Sequence, residues 1–199
     1  MYDRRYSQEV LRDRENDIIM NYDAVDAALF DLLELRSDHH LLEVGCDVGY
    51  TQRKFELAVE RCVGIDINEF AISQNTGNEA IVMDGTAMTF PDSSFDRAYS
   101  SHTIEHIPEL LKHFEEIARV LKPGGKYVAV YPWELFRGMA ATRAAITLYG
   151  NPMRSRDMHV NKLNPKKLDT ITKDLPITQT YSTLKFMNTP QWLSVWERN

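Results

Sequence analysis

Three acids and four histidine or acid side chains in this 199-residue chain have the types and spacing for chemistry. Glu43, Asp66 and Asp84 each follow a short apolar run: Leu41-Leu42, Val63-Gly64-Ile65 and Ile81-Val82-Met83. Acids at the carboxyl ends of neighbouring parallel strands meet in one crevice. One placed after the second strand can accept hydrogen bonds from both hydroxyls of a ribose. Asp84 is placed to accept from an adenine amino group, with Met83 and Ala87 as apolar flanks. Between the first two acids stands Gly45-Cys46-Asp47-Val48-Gly49. Gly45 carries no Cβ and takes positive φ freely, so a ligand can approach its backbone, and Gly49 lets a following helix pack closely. His102, Glu105 and His106 fall at i, i+3 and i+4, one face of a helical turn. Such a group can share a proton or hold a divalent metal. His159 lies in a later irregular stretch and can reach the same region from above. These histidines are read as candidate proton acceptors set against structural roles, and no metal is assigned.

The elements that must position these groups are legible in the hydrophobic pattern. Residues 1–36 read as helical, with Val10, Leu11, Ile18, Ile19, Tyr22, Val25, Ala28, Leu29, Leu32 and Leu33 at three- and four-residue spacing. This segment is expected to form a lid. Strands are expected at 41–45, 62–66, 80–83, 95–100 and 126–131, with helices at 50–60, 69–75 and 108–121. Pro123-Gly124-Gly125 is expected to stop the last of these. Alternating short apolar strands and amphipathic helices imply an α/β fold, a doubly wound parallel sheet with helices on both faces. Residues 132–164 break the alternation and are read as a substrate-cap insertion with a helix at 135–149. Pro165 suits the first turn of a helix running to about 174. Two closing strands near 177–186 and 191–197 are close enough to pair as a hairpin. The whole is read as a single domain, 1–199.

Composition narrows the class. Hydrophobic residues make up 43% and charged residues 26%, as in ordinary globular proteins. No run of about 18 apolar residues is present, so no membrane span is expected. The start, Met1-Tyr2-Asp3-Arg4-Arg5, has no apolar core of a signal peptide. Cys46 and Cys62 are too few for a disulfide framework, which suits a reducing, cytoplasmic setting. The net charge of −6 argues against non-specific nucleic-acid binding. Residues 151–199 nevertheless hold eight Lys/Arg and four Asp/Glu, so Arg154, Arg156, Lys162, Lys166 and Lys167 form either a solvated surface or a local anion site.

The chain resembles the class I S-adenosylmethionine-dependent methyltransferases, within the small single-domain group around the ubiquinone and menaquinone methyltransferases. The resemblance is carried by Leu42-Glu43-Val44-Gly45-Cys46-x-x-Gly49, Val63-Gly64-Ile65-Asp66, Phe90-Pro91-Asp92-x-x-Phe95-Asp96, Glu105-His106-Ile107 and Arg119-Val120-Leu121-Lys122-Pro123-Gly124-Gly125. It implies a Rossmann-like seven-stranded, mostly parallel sheet with an antiparallel C-terminal strand. It implies that Glu43, Gly45, Cys46, Asp47 and Gly49 line the methionine part of S-adenosyl-L-methionine, with Ser100 and Ser101 beneath its amino group. Asp66, with Ile67 beside it, takes the ribose; Asp84, Gly85 and Thr86 face adenine. Asp47 stands where members usually have glycine. Some related quinone O-methyltransferases hold a metal with a Glu-x-x-Glu-His pattern, whose first position here is His102.

The resemblance implies methyl transfer to the oxygen, nitrogen or carbon of a small molecule, by a monomer or homodimer. His102, His106 and His159 are the candidate catalytic residues. Tyr2, Tyr6, Trp133, Phe136, Met139 and Tyr149 are expected to line the acceptor pocket. His39, His40 and His113 are expected at the surface. The alternative is a non-catalytic cofactor-binding or scaffold protein. A nicotinamide oxidoreductase is disfavoured because Gly-x-Gly-x-x-Gly is missing. An amino-methylating nucleic-acid enzyme is disfavoured because Ser100-Ser101-His102-Thr103 replaces an Asn/Asp-Pro-Pro-Tyr run.

Overall fold

The computed structural model describes residues 4–6, 8 and 21–199. The readings at Tyr2, Val10, Leu11, Ile18 and Ile19 lie outside the described residues. Seven strands form one sheet in the order β3-β2-β1-β4-β5-β7-β6. They are β1 His40–Val44, β2 Arg61–Asp66, β3 Ala80–Val82, β4 Phe95–Ser101, β5 Leu121–Pro132, β6 Ile177–Met187 and β7 Thr189–Arg198. The first five pair in parallel, β7 runs antiparallel to β5, and β6 antiparallel to β7. The doubly wound fold and the C-terminal hairpin expected from the sequence are both present.

The sheet is covered on both faces because its side chains alternate and both sets are apolar. Leu42, Val44, Val63, Ile65, Ala98, Tyr127 and Trp196 pack with Phe114 and Ile117 of the helix Leu110–Val120. Leu41, Cys62, Tyr99, Val128, Val130 and Leu193 pack on the other face with Val25, Leu29 and Leu33 of the helix Tyr22–Leu33. Leu42 is fully buried, and truncating such a leucine to alanine costs roughly 2–5 kcal/mol. Both cysteines are free and buried.

Several boundaries differ from expectation. The helix ends at Val120 and the chain passes directly into β5, so Pro123-Gly124-Gly125 lies inside the strand. The register of β4 with β5 shifts between Phe95 and Arg97 beside it, and Gly124 takes φ 75° there. These residues mark an irregularity in the ladder rather than the helix stop. The helix expected over 135–149 begins at Thr142. Upstream, Gly138 takes φ 82°. The Glu134 carboxylate accepts from the backbone N–H groups of Gly138 at 3.2 Å and Ala140 at 2.9 Å, which holds a turn in place of helix. The stretch 50–60 is helical only over Gln52–Phe55 and a 3-10 turn, Glu56–Ala58. His39 and His113, expected at the surface, are 2% and 0% exposed. His113 falls between Leu110 and Phe114 on the buried face of its helix, and His39 Nδ1 accepts from Arg36 N at 3.3 Å. His40 is half-buried.

Candidate functional site

The carboxyl ends of β1 to β4 open on a cavity of about 1250 Å³. That exceeds the roughly 300–1,000 Å³ of a site for one small ligand, so a cofactor and a second molecule fit together. One half lies over β1–β3. Gly45 ends β1 at φ 80°, and a Cβ there would collide with the Thr103 side chain. The Thr103 hydroxyl donates to Val44 O at 3.1 Å and so closes the gap between the ends of β1 and β4. The N–H groups of Gly45 and Cys46 both donate to Ile65 O, at 2.8 and 3.1 Å, which ties the turn to β2. Asp47 takes φ 45°. Aspartate tolerates this left-handed conformation better than most residues.

Asp66 organises the turn from the end of β2. Its Oδ2 accepts from Asp47 N at 3.0 Å and its Oδ1 from Asn68 N at 2.8 Å. A carboxylate has about four acceptor positions, so each oxygen keeps capacity for a ribose hydroxyl. Burial raises the carboxyl's pKa, opposed by the N–H groups of Asn68, Asp47 and Ile67. Asn68 then caps the helix Glu69–Gln74 by accepting from Phe70 N and Ala71 N. Ile67 is 58% exposed and lines the cavity with Met83, two apolar surfaces suited to a flat ring. Asp84 Oδ1 accepts from the N–H and the hydroxyl of Thr86, both at 2.8 Å, folding the loop around Gly85. Open glycine backbone at one end, a double-acceptor acid in the middle and apolar faces at the other fit an S-adenosyl group.

Glu43, Gly45, Cys46, Asp47, Asp66, Ile67, Asp84, Gly85, Thr86 and Ser101 all line this cavity. Gly49 and Ser100 do not. Gly49 takes φ 82°, and a Cβ there would stand 2.6 Å from Asn75 Oδ1. Its close neighbour is thus the residue that ends the helix Glu69–Gln74, not the helix Gln52–Phe55 that the sequence led us to expect there. Ser100 is fully buried and its hydroxyl meets Tyr127 Oη at 2.6 Å. Tyr127 Oη lies 3.0 Å from His113 Nε2, and His113 Nδ1 lies 3.0 Å from Gly85 O. Because a carbonyl only accepts, Nδ1 carries the ring proton, Nε2 accepts from Tyr127, and Ser100 donates to Tyr127. A chain of hydrogen bonds thus runs beneath the sheet's end to the Gly85 loop. Burial, the largest influence, lowers the His113 pKa to about 4, against Gly85 O, Asp84 and Glu116, which raise it.

The other half of the cavity holds the histidines. His102 takes φ 54° and precedes the 3-10 turn Ile104–His106, so the three residues gather through a strained bend rather than one regular helical turn. Glu105 is 1% exposed, with His102 Nδ1 at 3.3 Å and His106 Nε2 at 4.0 Å from its Oε1. Burial pushes its pKa up, but the imidazoles of His102, His106 and His159 outweigh burial and hold it at about 2. His106 Nδ1 lies 2.7 Å from Met158 O. Burial lowers the His106 pKa against the pull of Glu105. His159 follows the short helix Ser155–Met158, and its Nδ1 lies 2.8 Å from Glu134 Oε1. Burial lowers its pKa, and the Glu134 and Glu105 carboxylates together raise it further, for a net rise.

Tyr6, Trp133 and Met139 line this half, with the Tyr6 ring edge-on to His106 at 6.3 Å. Phe136 and Tyr149 do not line it, and neither do Arg154 and Arg156. The Arg154 guanidinium stacks on Tyr149 at 4.5 Å and pairs with Asp157. Sequence reasoning passed over Glu134, although it follows β5 at its carboxyl end, where ligand-facing groups of such sheets gather.

Residues 42–129 match a family model described as a methyltransferase domain. The chain is 38% identical over 114 residues to a 24-methylenesterol C-methyltransferase 2 of Oryza sativa subsp. japonica, covering 52% of this chain and 31% of that protein. It is 37% identical over 108 residues to a phosphoethanolamine N-methyltransferase of Triticum aestivum, covering 48% of this chain and 21% of that protein. The chain therefore spans about a third or less of the length of these relatives. Its fold is similar to that of a geranyl diphosphate C-methyltransferase from Streptomyces coelicolor A3(2), in complex with Mg2+, geranyl diphosphate and S-adenosyl-L-homocysteine. The TM-score is 0.71 at 13% identity, over 89% of this chain and 77% of that one.

Proposed function

We propose that this chain, whose residues 42–129 are a class I S-adenosylmethionine-dependent methyltransferase domain, methylates a small molecule held in the histidine half of its cavity. The observation that carries the reading is Asp66. It is fixed by two backbone N–H groups, retains acceptor capacity on both oxygens and faces the same cavity as the Gly45 turn. When bound, the cofactor supplies a methyl group already activated on a positively charged sulfur. The protein's part is then mainly to position the acceptor in line and exclude water.

In this reading Glu43, Gly45, Cys46, Asp47 and Ser101 hold the methionine part, Asp66 and Ile67 the ribose, and Asp84, Gly85 and Thr86 the adenine. Gly49 and Ser100 support the site from behind. Tyr6, Trp133 and Met139 offer apolar area to the acceptor. His102, His106 and His159 with Glu105 stand where an acceptor hydroxyl would deliver its proton. Tyr6 and residues of the stretch 132–164 line the acceptor half, which supports reading the N-terminal segment as a lid and the insertion as a cap. Acceptors of related proteins include sterols and phosphoethanolamine, as their names state, so the target atom here is an oxygen, nitrogen or carbon. The reading involves no nucleic acid, a monomer or homodimer, and a cytoplasmic site of action.

Calorimetric titration with S-adenosylhomocysteine, with NAD as control, tests the proposal. Binding of the first alone supports it. Binding of NAD alone, or of neither, refutes it. Cofactor binding with no methyl transfer to any class of small acceptor would favour a non-catalytic binding protein.

A further inference from the structure

Glu105 is a buried carboxylate of the cavity with the imidazoles of His102, His106 and His159 around it. It is 1% exposed, and among the described residues neither of its carboxylate oxygens has a hydrogen-bond partner. His102 Nδ1, at 3.3 Å, lacks the alignment of a hydrogen bond to it. An ionised carboxylate taken out of water is costly unless a cation or well-aligned donors face it.

The neighbouring rings are held in a particular sense. His106 Nδ1 lies 2.7 Å from Met158 O, and His159 Nδ1 lies 2.8 Å from Glu134 Oε1. A carbonyl and a carboxylate are acceptors, so both Nδ1 atoms carry the proton and each neutral ring has its lone pair on Nε2. Glu105, His106 and His159 each present one ligand atom, all within 4.8 Å of one another. In a tetrahedral set with bonds of about 2.1 Å the ligand atoms stand roughly 3.4 Å apart, so each pair needs to close by at most about 1.4 Å. A histidine oriented through Nδ1 by a carboxylate or carbonyl, with Nε2 turned inward, is the arrangement seen around bound metals.

Charge points the same way. Glu134, 4% exposed, is a second buried carboxylate beside His159. With neutral imidazoles the group carries two negative charges. One imidazolium offsets half of that, whereas a divalent ion offsets all of it.

We propose that Glu105, His106 and His159 form a binding site for a divalent first-row transition-metal ion, with Glu134 and the Met158 carbonyl as its outer support. Two histidines and one carboxylate are a donor set for zinc, and the same set takes cobaltous or ferrous ion. Three protein ligands leave a coordination position open towards the cavity. This deepens the proposed function and rests on it for the acceptor: an acceptor bearing a hydroxyl would place its oxygen there. The ion would make that hydroxyl more acidic; with the lone pairs of His106 and His159 given to the metal, its proton would pass to His102 or to water in place of those two rings.

The test uses the full chain stripped with a chelator and dialysed. It is titrated with Co2+ followed by visible absorption, and with Zn2+ by calorimetry. The expected result is one ion per chain, with the intense visible bands of four- or five-coordinate cobalt. His159→Ala and Glu105→Gln should each weaken binding at least tenfold. Glu134→Gln, which keeps an acceptor for His159 but removes the charge, should weaken it about 10–100-fold. S-adenosylhomocysteine affinity is measured on every protein as a check on folding and on the cofactor half. If one of these variants does not fold, His106→Ala provides a further ligand deletion. No ion on a wild-type chain that binds S-adenosylhomocysteine overturns the metal site and leaves the proposed function standing. An ion that binds all the variants equally well also overturns it. Loss of S-adenosylhomocysteine binding in the wild type would strike the proposed function alone, because the cobalt spectrum decides the metal site by itself.

Discussion

His113 should give the protein a marked loss of stability between neutral and mildly acidic pH. The ring is fully buried, donates through Nδ1 to Gly85 O and accepts through Nε2 from Tyr127. Protonating Nε2 would set two donors against each other and place a charge in the core. Its pKa is accordingly lowered from 6.5 to about 4, chiefly by burial, with Asp84 and Glu116 opposing from the neighbouring loop and the same helix. The unfolded chain takes up the proton near pH 6.5 and the folded chain only near pH 4. The contribution is thus fully present above the unfolded value and is lost as pH falls through that window. Integrating the linkage gives a loss of about 2 kcal/mol between pH 7.5 and 5. Other histidines titrate in the same range, so the comparison is with His113→Gln, by urea unfolding at each pH. The variant should be less stable than the wild type at pH 7.5, since it breaks the bond to Tyr127. Its stability should then fall by about 2 kcal/mol less on acidification. Parallel pH profiles for the two proteins would refute the assignment of a neutral, hydrogen-bonded ring.

Other changes probe the cofactor half. Asp66→Ala should weaken S-adenosylhomocysteine binding by about 1–3 kcal/mol, read by calorimetry, through lost ribose hydrogen bonds; unchanged affinity would remove Asp66 from the site. Gly45→Ala should abolish measurable cofactor binding and lower the melting temperature, because φ 80° is disfavoured and the new Cβ meets Thr103. Asp47→Gly should stabilise the fold by about 1 kcal/mol in chemical denaturation, since glycine bears the left-handed conformation without cost. If it also lowers cofactor affinity, the Asp47 carboxylate itself touches the ligand.

What the sequence alone determined is what depends on local pattern. The strands β1, β2 and β4 and the helix Leu110–Val120 were legible because alternation and 3.6-residue periodicity are properties of neighbouring residues. The acids at the strand ends followed, since a parallel sheet carries all its carboxyl ends to one side. The same pattern held a signal that was passed over, for His113 sits between Leu110 and Phe114 on the apolar stripe. Ser100 shows the limit from the other side. Adjacent strand residues face opposite ways, so Ser101 meets the cavity while Ser100 meets Tyr127.

Only the tertiary structure decided the histidine half. A helix expected over 135–149 was shortened because Glu134 captured the N–H groups of Gly138 and Ala140. Those bonds also present Glu134 to His159, 25 residues along the chain. His106 is oriented by the carbonyl of Met158, 52 residues away. No local periodicity encodes such pairings, because they arise where an irregular insertion folds back over the sheet and buried polar groups must find partners.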